Sequence, residues 1–117
     1  MSHAERRNDQ RVSVSLPVTY QLLGAPTRSP YTGRVVDISA GGLRLICDRP
    51  VELGERVDVA VNLPARTIPY QLPGRVVWVK PASSGSECGV QFLDLSPDQR
   101  YELDEIVQFL MRPGANA

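Results

Sequence analysis

The sequence predicts an all-β fold, a sandwich or barrel, followed by one C-terminal α-helix. Nine glycines and ten prolines are spread through the 117 residues and separate short apolar runs. Many of these runs alternate apolar and polar residues with a period of two, which is typical of strands with one buried face. Beyond residue 95 the apolar spacing changes to that of an amphipathic helix. Short strands separated by turn residues at this spacing favour a sandwich or barrel.

Length and charge narrow the possible functions. A chain of 117 residues suits one domain with a modest core, so we expect a single domain over residues 1–117. Thirteen basic and thirteen acidic side chains balance, which argues against a dedicated binder of nucleic acids or membrane surfaces. No apolar run approaches the roughly 20 residues of a membrane helix, and no apolar segment follows the charged N-terminus as in a secretory signal. We therefore expect a cytoplasmic protein.

The first strand is predicted over Val12–Leu16, where valine and leucine alternate with serine. Pro17 interrupts the run and indicates an edge position or a bulge, after which the strand resumes over Val18–Leu23. Prolines up to Pro73 are expected to break the chain before the next-to-last strand, and a loop is expected over Pro81–Ser86. The other strands are predicted over Tyr31–Val36, Gly42–Cys47, Arg56–Leu63, Gly74–Lys80 and Cys88–Leu93.

The C-terminal helix has a strong start signal. Ser96 suits the N-cap, Pro97 the first helical position and Gln99 the third, where its side chain can complete a capping box. Pro113 and Gly114 end the pattern. One apolar stripe, expected to pack on the sheet, is formed by Leu103, Ile106, Val107 and Leu110. These boundaries divide the predicted domain into a flexible N-terminal arm (1–11), a barrel (12–95) and the helix (96–112).

Residues suited to catalysis or metal binding are few. Cys47 and Cys88 stand alone in strand-like runs, without a C-x-x-C pair or a neighbouring histidine, which favours small buried side chains over a zinc or redox site. A disulfide between them stays open from the sequence but would be unusual in the cytoplasm. The histidine, His3, lies in the predicted arm. Because no nucleophile has a neighbouring base, we expect no enzymatic activity, and no metal or cofactor.

Three arginines, Arg6, Arg7 and Arg11, lie within six residues before the first strand. Arginine side chains make bidentate contacts with phosphates and stack on flat rings. Arg7 and Arg11 are four residues apart, so a helical turn would place both on one side. A solvated tail with Glu5 and Asp9 as counter-charges is the alternative, and charge alone favours that alternative.

A second polar feature, Asp37–Gly42, connects the second and third predicted strands. Asp and Ser side chains accept hydrogen bonds from nearby backbone N–H groups, and glycines such as Gly41 permit positive φ, as in a tight turn. The same residues suit a ligand, because Asp37 and Ser39 would point polar groups at it and Gly42 would let it approach. A carboxylate can accept from the N1–H and N2–H₂ edge of guanine, and arginine can donate to O6 and N7. A ligand with guanines and phosphates would occupy both features.

The two motifs together resemble the signature of PilZ domains, the bacterial receptors for cyclic di-GMP. An R-x-x-x-R arm (Arg7, Arg11) precedes a D-x-S-x-x-G turn (Asp37, Ser39, Gly42), and the later stretches GRVVWVK and CGVQFLDLS resemble the last strands of the family. The resemblance covers almost the whole chain. It implies a six- to seven-stranded antiparallel split barrel with a C-terminal helix, whose arm folds over one face to clamp the ligand.

The resemblance also implies which residues bind. The implied binding residues are Arg6, Arg7, Arg11, Asp37, Ser39, Gly41 and Gly42. The R-x-x-x-R arginines would bind phosphates and guanine edges, and Asp37 and Ser39 the second guanine and its sugar–phosphate side, with Gly42 keeping the turn open. Arg6 resembles members of the family that accept two stacked ligand molecules per chain. Trp78 would either pack in the core or support the site.

Ligand binding is expected to order the arm and so change the surface offered to an unidentified bacterial effector protein. We expect no DNA, RNA or membrane partner. Two alternatives stay open: a protein-docking module of the same fold without a nucleotide, and a small barrel that binds single-stranded nucleic acid. The balanced charge and the few aromatic residues argue against the second.

Overall fold

The computed structural model describes residues 10–23, 30–64, 66–83 and 85–112. Residues 1–9, which include Arg6 and Arg7 and most of the predicted arm, lie outside the described residues. The elements are β1 (Val12–Leu22), β2 (Tyr31–Ile38), β3 (Gly42–Cys47), β4 (Arg56–Val61), β5 (Tyr70–Ala82), β6 (Gly85–Phe92) and α1 (Pro97–Leu110). The strands pair antiparallel in the order β1-β2-β3-β6-β5-β4, and β4 pairs back with β1 to close a barrel. The predicted all-β barrel with a C-terminal helix is confirmed.

Valine side chains that point inward, such as Val35, Val59 and Val61, are completely buried in the barrel. Helix α1 packs against the barrel through Leu103, Ile106, Val107 and Leu110. Its start is the predicted capping box: the Ser96 Oγ accepts from the Gln99 N–H at 3.1 Å, and the Gln99 Oε1 accepts from the Ser96 N–H at 3.3 Å. Across the described ranges, no helix combines the length and apolar character needed to cross a membrane.

Pro17 and Pro73 both lie inside strands, at positions where the strand on one side has already ended. The Pro17 carbonyl accepts from the Asn62 N–H at 3.2 Å, one residue past β4, and the Pro73 carbonyl accepts from the Leu93 N–H at 2.9 Å, one residue past β6. The N–H and C=O of a residue in an antiparallel strand point to the same side, so the bond that each proline cannot make falls at the end of the ladder, opposite a residue outside the neighbouring strand. The predicted break before residue 74 was therefore wrong, and β5 already begins at Tyr70.

Two other strand boundaries in the structure differ from the predicted ones. The loop predicted over Pro81–Ser86 is a tight hairpin, because β5 continues to Ala82 and β6 starts at Gly85, whose φ of +154° suits glycine. Strand β2 continues to Ile38 instead of ending at Val36, since the Ile38 side chain is buried in the core. The polar segment after β2 is therefore shorter than predicted.

Cys47 on β3 and Cys88 on β6 are free thiols buried in the core. Their sulfur atoms are 3.9 Å apart, on diagonally related positions of the two paired strands. The hydrogen bond with Cys47 and then burial raise the pKa of Cys88, which keeps this thiol protonated. Both residues act as small core side chains, as predicted.

Two β-bulges decide which side chains face outward on one side of the barrel. Strand β2 has a bulge between Val35 and Asp37, and β5 has one between Val76 and Trp78. Regular alternation would point Asp37 and Trp78 inward, like the buried Val35 and Val76. The extra residue in each strand reverses the alternation, so Asp37 and Trp78 face outward.

Candidate functional site

The strand register aligns one outward-facing residue from each of five neighbouring strands. Ser13 pairs with Asp37, Asp37 with Arg44, Arg44 with Gly89, and Gly89 with Trp78. Neighbouring strands lie about 4.8 Å apart, so this cross-strand row is about 19 Å long. A cleft of about 620 Å³ lies over the row from Asp37 to Trp78. Both bulges therefore deliver their residues to one surface.

The Asp37 carboxylate lies between two arginines. Arg11 Nη1 donates to Asp37 Oδ1 at 2.7 Å, and Arg44 Nε lies 3.1 Å from Oδ2, an ion-pair contact without hydrogen-bond geometry. Arg44 Nη1 also donates to Glu87 Oε2 at 2.9 Å. The carboxylates of Asp37 and Glu87 are mostly buried, whereas the Arg11 and Arg44 side chains are 55% and 41% exposed. Two partly exposed cations therefore cover two shielded acids at the cleft.

Ser39 builds the turn that follows β2. Its Oγ accepts from the N–H groups of Gly41 at 3.2 Å and Gly42 at 3.3 Å, and its own N–H donates to the Gly42 carbonyl at 2.8 Å. The Ser39 side chain is buried, so its hydroxyl holds the turn together. The predicted tight turn is confirmed, but Asp37 belongs to β2 and Gly42 to β3, so the turn itself is residues 39–41.

The two glycines of this turn differ in their surroundings. A Cβ on Gly42 would collide with the Val90 carbonyl oxygen of β6, so the bare backbone is needed for β3 to pair closely with β6. Gly41 is exposed, with no atom within 4 Å of the position of a Cβ, and its carbonyl accepts from the Phe92 N–H at 2.9 Å. Both glycines line the cleft. Gly42 is thus required for strand pairing, and Gly41 keeps the cleft edge open.

Trp78 lines the cleft and does not pack in the core, because 41% of it is exposed. A Cβ on Gly89 would lie 2.5 Å from the Trp78 Cε2 and 2.6 Å from Cδ1, so the indole lies directly over the Gly89 backbone. Its neighbour Val77 is 44% exposed and lines the same cleft. The ring offers a flat apolar surface beside the charged end of the row.

Three residues of this surface, Arg44, Glu87 and Gly89, were missed in the sequence. The alternation of Leu43 and Leu45 around Arg44 indicated an outward side chain next to the turn. Arg44 could therefore have been predicted as a site residue from this alternation. Glu87 and Gly89 carry no such signal, because they reach the site only through the pairing of β6 with β3 and β5. Arg11, Asp37, Ser39, Gly41 and Gly42 do come together in the cleft.

The chain is thus a small closed antiparallel barrel in which a polar turn, paired charges and an exposed aromatic ring surround one cleft. The profile of the PilZ domain family matches residues 5–111. The chain therefore belongs to the PilZ domain family.

Solved structures agree with this assignment at the level of the fold. The PilZ domain of YcgR from Escherichia coli, solved with c-di-GMP, has a TM-score of 0.68 at 17% identity, covering 86% of this chain and 88% of that one. The PilZ domain of CeSA from a cellulose-synthesizing bacterium has a TM-score of 0.65 at 16% identity, covering 89% and 100%. The Bacillus subtilis inhibitor of motility MotI/DgrA has a TM-score of 0.64 at 18% identity, covering 87% and 48%. The comparison with curated proteins gave no match.

Proposed function

We propose that the cleft binds cyclic di-GMP and that the chain is a receptor for this dinucleotide, not an enzyme. The observation that carries the proposal is the cross-strand row that brings Asp37 and Trp78 into one cleft with Arg11. Membership of the PilZ domain family and the c-di-GMP in the YcgR domain of the same fold support this ligand. The two free thiols in the core suit a reducing compartment such as the bacterial cytoplasm.

The chemistry of the cleft matches the parts of this ligand. Cyclic di-GMP carries two anionic phosphodiesters and two flat guanines. The Arg11 guanidinium, more than half exposed, can donate to a phosphodiester. The exposed face of Trp78 can stack on a base, a contact worth about 1–3 kcal/mol. The Asp37 carboxylate can accept from the N1–H and N2–H₂ groups of guanine.

The remaining predicted residues complete this proposal. Arg7 shares the phosphates and guanine edges with Arg11, and Arg6 favours two stacked ligand molecules per chain; both lie outside the described residues. Ser39 acts by holding the turn next to Asp37. Gly41 and Gly42 act by leaving room along the cleft and between the strands.

The ion pairs at the cleft suggest how binding becomes a signal. Arg11 Nη1 donates to Asp37 Oδ1 at 2.7 Å. A bound ligand would replace this ion pair by a phosphate contact to Arg11 and a guanine contact to Asp37. The preceding residue, Gln10, accepts from Gln108 Nε2 of α1 at 3.0 Å, so a movement of Arg11 also reaches the helix. An effector protein would then meet a different surface. Slower amide exchange in residues 5–11 on ligand addition is the expected result, and unchanged exchange would contradict this step.

Calorimetric titration tests the ligand. Cyclic di-GMP is expected to bind with two molecules per chain, whereas GTP and a short single-stranded oligonucleotide, the two controls, are expected to bind much more weakly. No binding of the dinucleotide would refute the proposal and leave a docking module. Binding of the oligonucleotide in its place would indicate a nucleic-acid barrel.

Variants test the arm. Arg7→Ala and Arg11→Ala each remove charged contacts worth about 1.5–3 kcal/mol, so the Kd should rise by roughly 10- to 150-fold. Arg34→Ala is the matched control, because Arg34 is exposed on β2 and donates to Ser15 Oγ at 2.9 Å, away from the cleft. Arg6→Leu should lower the stoichiometry from two to one. Wild-type affinity in both Arg7→Ala and Arg11→Ala would refute the role of the arm.

A further inference from the structure

Arg44 lies at the centre of the cleft floor but outside the two motifs. It is the direct cross-strand neighbour of Asp37, with its Nε 3.1 Å from the Asp37 Oδ2. On its other side it neighbours Gly89, over which the Trp78 indole lies. Arg44 thus stands between the carboxylate and the aromatic ring that the proposed function assigns to the ligand.

The Arg44 guanidinium is held in place by two acids. Nε faces Asp37, and Nη1 donates to Glu87 Oε2 at 2.9 Å. Glu87 is on β6, two residues from Gly89, and its side chain is 16% exposed, so this contact is shielded from solvent. The Arg44 side chain remains 41% exposed, and its guanidinium carries five N–H donors, so donors remain for a ligand in the cleft. An arginine fixed in this way presents them in a defined direction.

Side by side, Arg44 and Asp37 form an ordered set of hydrogen-bonding groups: a donor on the guanidinium followed by acceptors on the carboxylate. A carboxylate has about four lone-pair sites, so Asp37 can accept from a base while it still contacts Arg44. The edge of guanine presents the complementary order, the acceptor O6 followed by the donors N1–H and N2–H₂. Adenine presents a donor at N6 and an acceptor at N1, which would place donor against donor and acceptor against acceptor.

We propose that Arg44 is a guanine-specificity residue of this cleft, donating to O6 beside the Asp37 carboxylate, and that Glu87 is the residue that positions Arg44. The inference rests on the proposed function, since it names which feature of cyclic di-GMP the cleft distinguishes. A base stacked on Trp78 lies above Gly89, and its edge then faces Arg44 in the next strand.

Titrations of cyclic di-GMP and its adenine analogue, cyclic di-AMP, test the inference through the ratio of their Kd values. Arg44→Met removes the donors but keeps the length of the side chain, and the preference for cyclic di-GMP should fall by about 5- to 150-fold. Arg44→Lys keeps the charge without the fixed planar fork, so it should restore part of the affinity for both dinucleotides but little of the preference. Arg34→Met makes the same change of charge outside the cleft and should leave the ratio unchanged.

Glu87→Gln removes the charge that positions Arg44 and should also lower the ratio, by less than Arg44→Met does. Thermal denaturation of each variant confirms that it is folded before its ratio is compared. An unchanged ratio in folded Arg44→Met, or a full return of the ratio in Arg44→Lys, would overturn the role of Arg44 as a guanine reader. An unchanged ratio in Glu87→Gln would overturn the positioning role. If the wild type binds neither dinucleotide, the proposed function itself fails, so the two failures are distinguishable.

Discussion

Gly89→Ala should weaken binding of cyclic di-GMP by moving the Trp78 indole, without removing any group that contacts the ligand. The added Cβ would lie 2.5 Å from the Trp78 Cε2 and 2.6 Å from Cδ1, whereas carbon atoms pack best about 3.5–4.0 Å apart. The indole Nε1 is closer still, so the ring must retreat by more than about 1 Å or rotate away. Since Trp78 is 41% exposed, it has room to do so on the solvent side.

The expected magnitude follows from the loss of stacking. A base stacked on an aromatic side chain contributes about 1–3 kcal/mol, so losing that contact should raise the Kd by about 5- to 150-fold. The free energy of unfolding should change by no more than about 1 kcal/mol, because the displaced ring is at the surface. Trp78→Ala should show a similar loss of affinity. The double variant should bind no more weakly than Trp78→Ala, because both changes remove the same contact.

Fluorescence reports the movement of the Trp78 ring, and calorimetry reports the change in affinity. The sequence contains a single tryptophan, so the emission spectrum reports the surroundings of Trp78 alone. Gly89→Ala is expected to shift the emission of the free protein and to weaken binding in the calorimeter. A variant whose emission has shifted, whose melting temperature is unchanged and whose affinity equals that of the wild type would refute the stacking argument.

Two further predictions concern stability. Gly42→Ala should lower the free energy of unfolding by about 2 kcal/mol or more in thermal denaturation, because its Cβ would meet a backbone carbonyl. Gly41→Ala is the control: the space there is open, so the free energy of unfolding should change by about 0.5 kcal/mol at most. Equal effects of the two substitutions would contradict the argument. Tyr70→Phe removes the hydrogen bond from Tyr70 to Glu102 at 2.9 Å, the main cause that lowers the pKa of Glu102, so it should cost at most about 1 kcal/mol near neutral pH. Because the folded pKa lies below the unfolded one, this deficit should disappear as the pH falls through the folded pKa of Glu102, and a deficit that persists in acid would refute the assignment.

The period-two pattern predicted the fold class because most inward positions follow it, but it could not reveal where the pattern changes phase. The bulges between Val35 and Asp37 and between Val76 and Trp78 each insert one residue without a sequence signal of their own. Pro73 was read as a strand breaker, since proline removes a ladder donor. Its tolerance inside β5 depends on β6 having ended beside it, which is a property of the register and not of the local sequence.

The candidate site was predictable only where it is formed by residues close together in the sequence. Ser39 and Gly41 form a local turn, whose chemistry is written in consecutive residues. Asp37, predicted to bind the ligand, lines the cleft, but its neighbour Arg44 reaches it only through the pairing of β2 with β3. The sequence left open whether Trp78 packs in the core or lies at the site. Valines stand on both sides of it, so the pattern does not show which face of the strand is exposed.

Closure of the barrel also limits how another protein can recognise this domain. Each of the six described strands has a hydrogen-bonded neighbour on both sides. Where strands are paired on both sides, their backbone N–H and C=O groups are taken up. Free backbone groups remain where a strand outruns its neighbour, as β1 does before Pro17 and β5 does after Val76. Around the fully paired part of the ring, a binding protein must therefore recognise side chains. Under the proposed function, a bound nucleotide would rearrange such side chains and so change the surface that a partner recognises, with the barrel backbone unchanged.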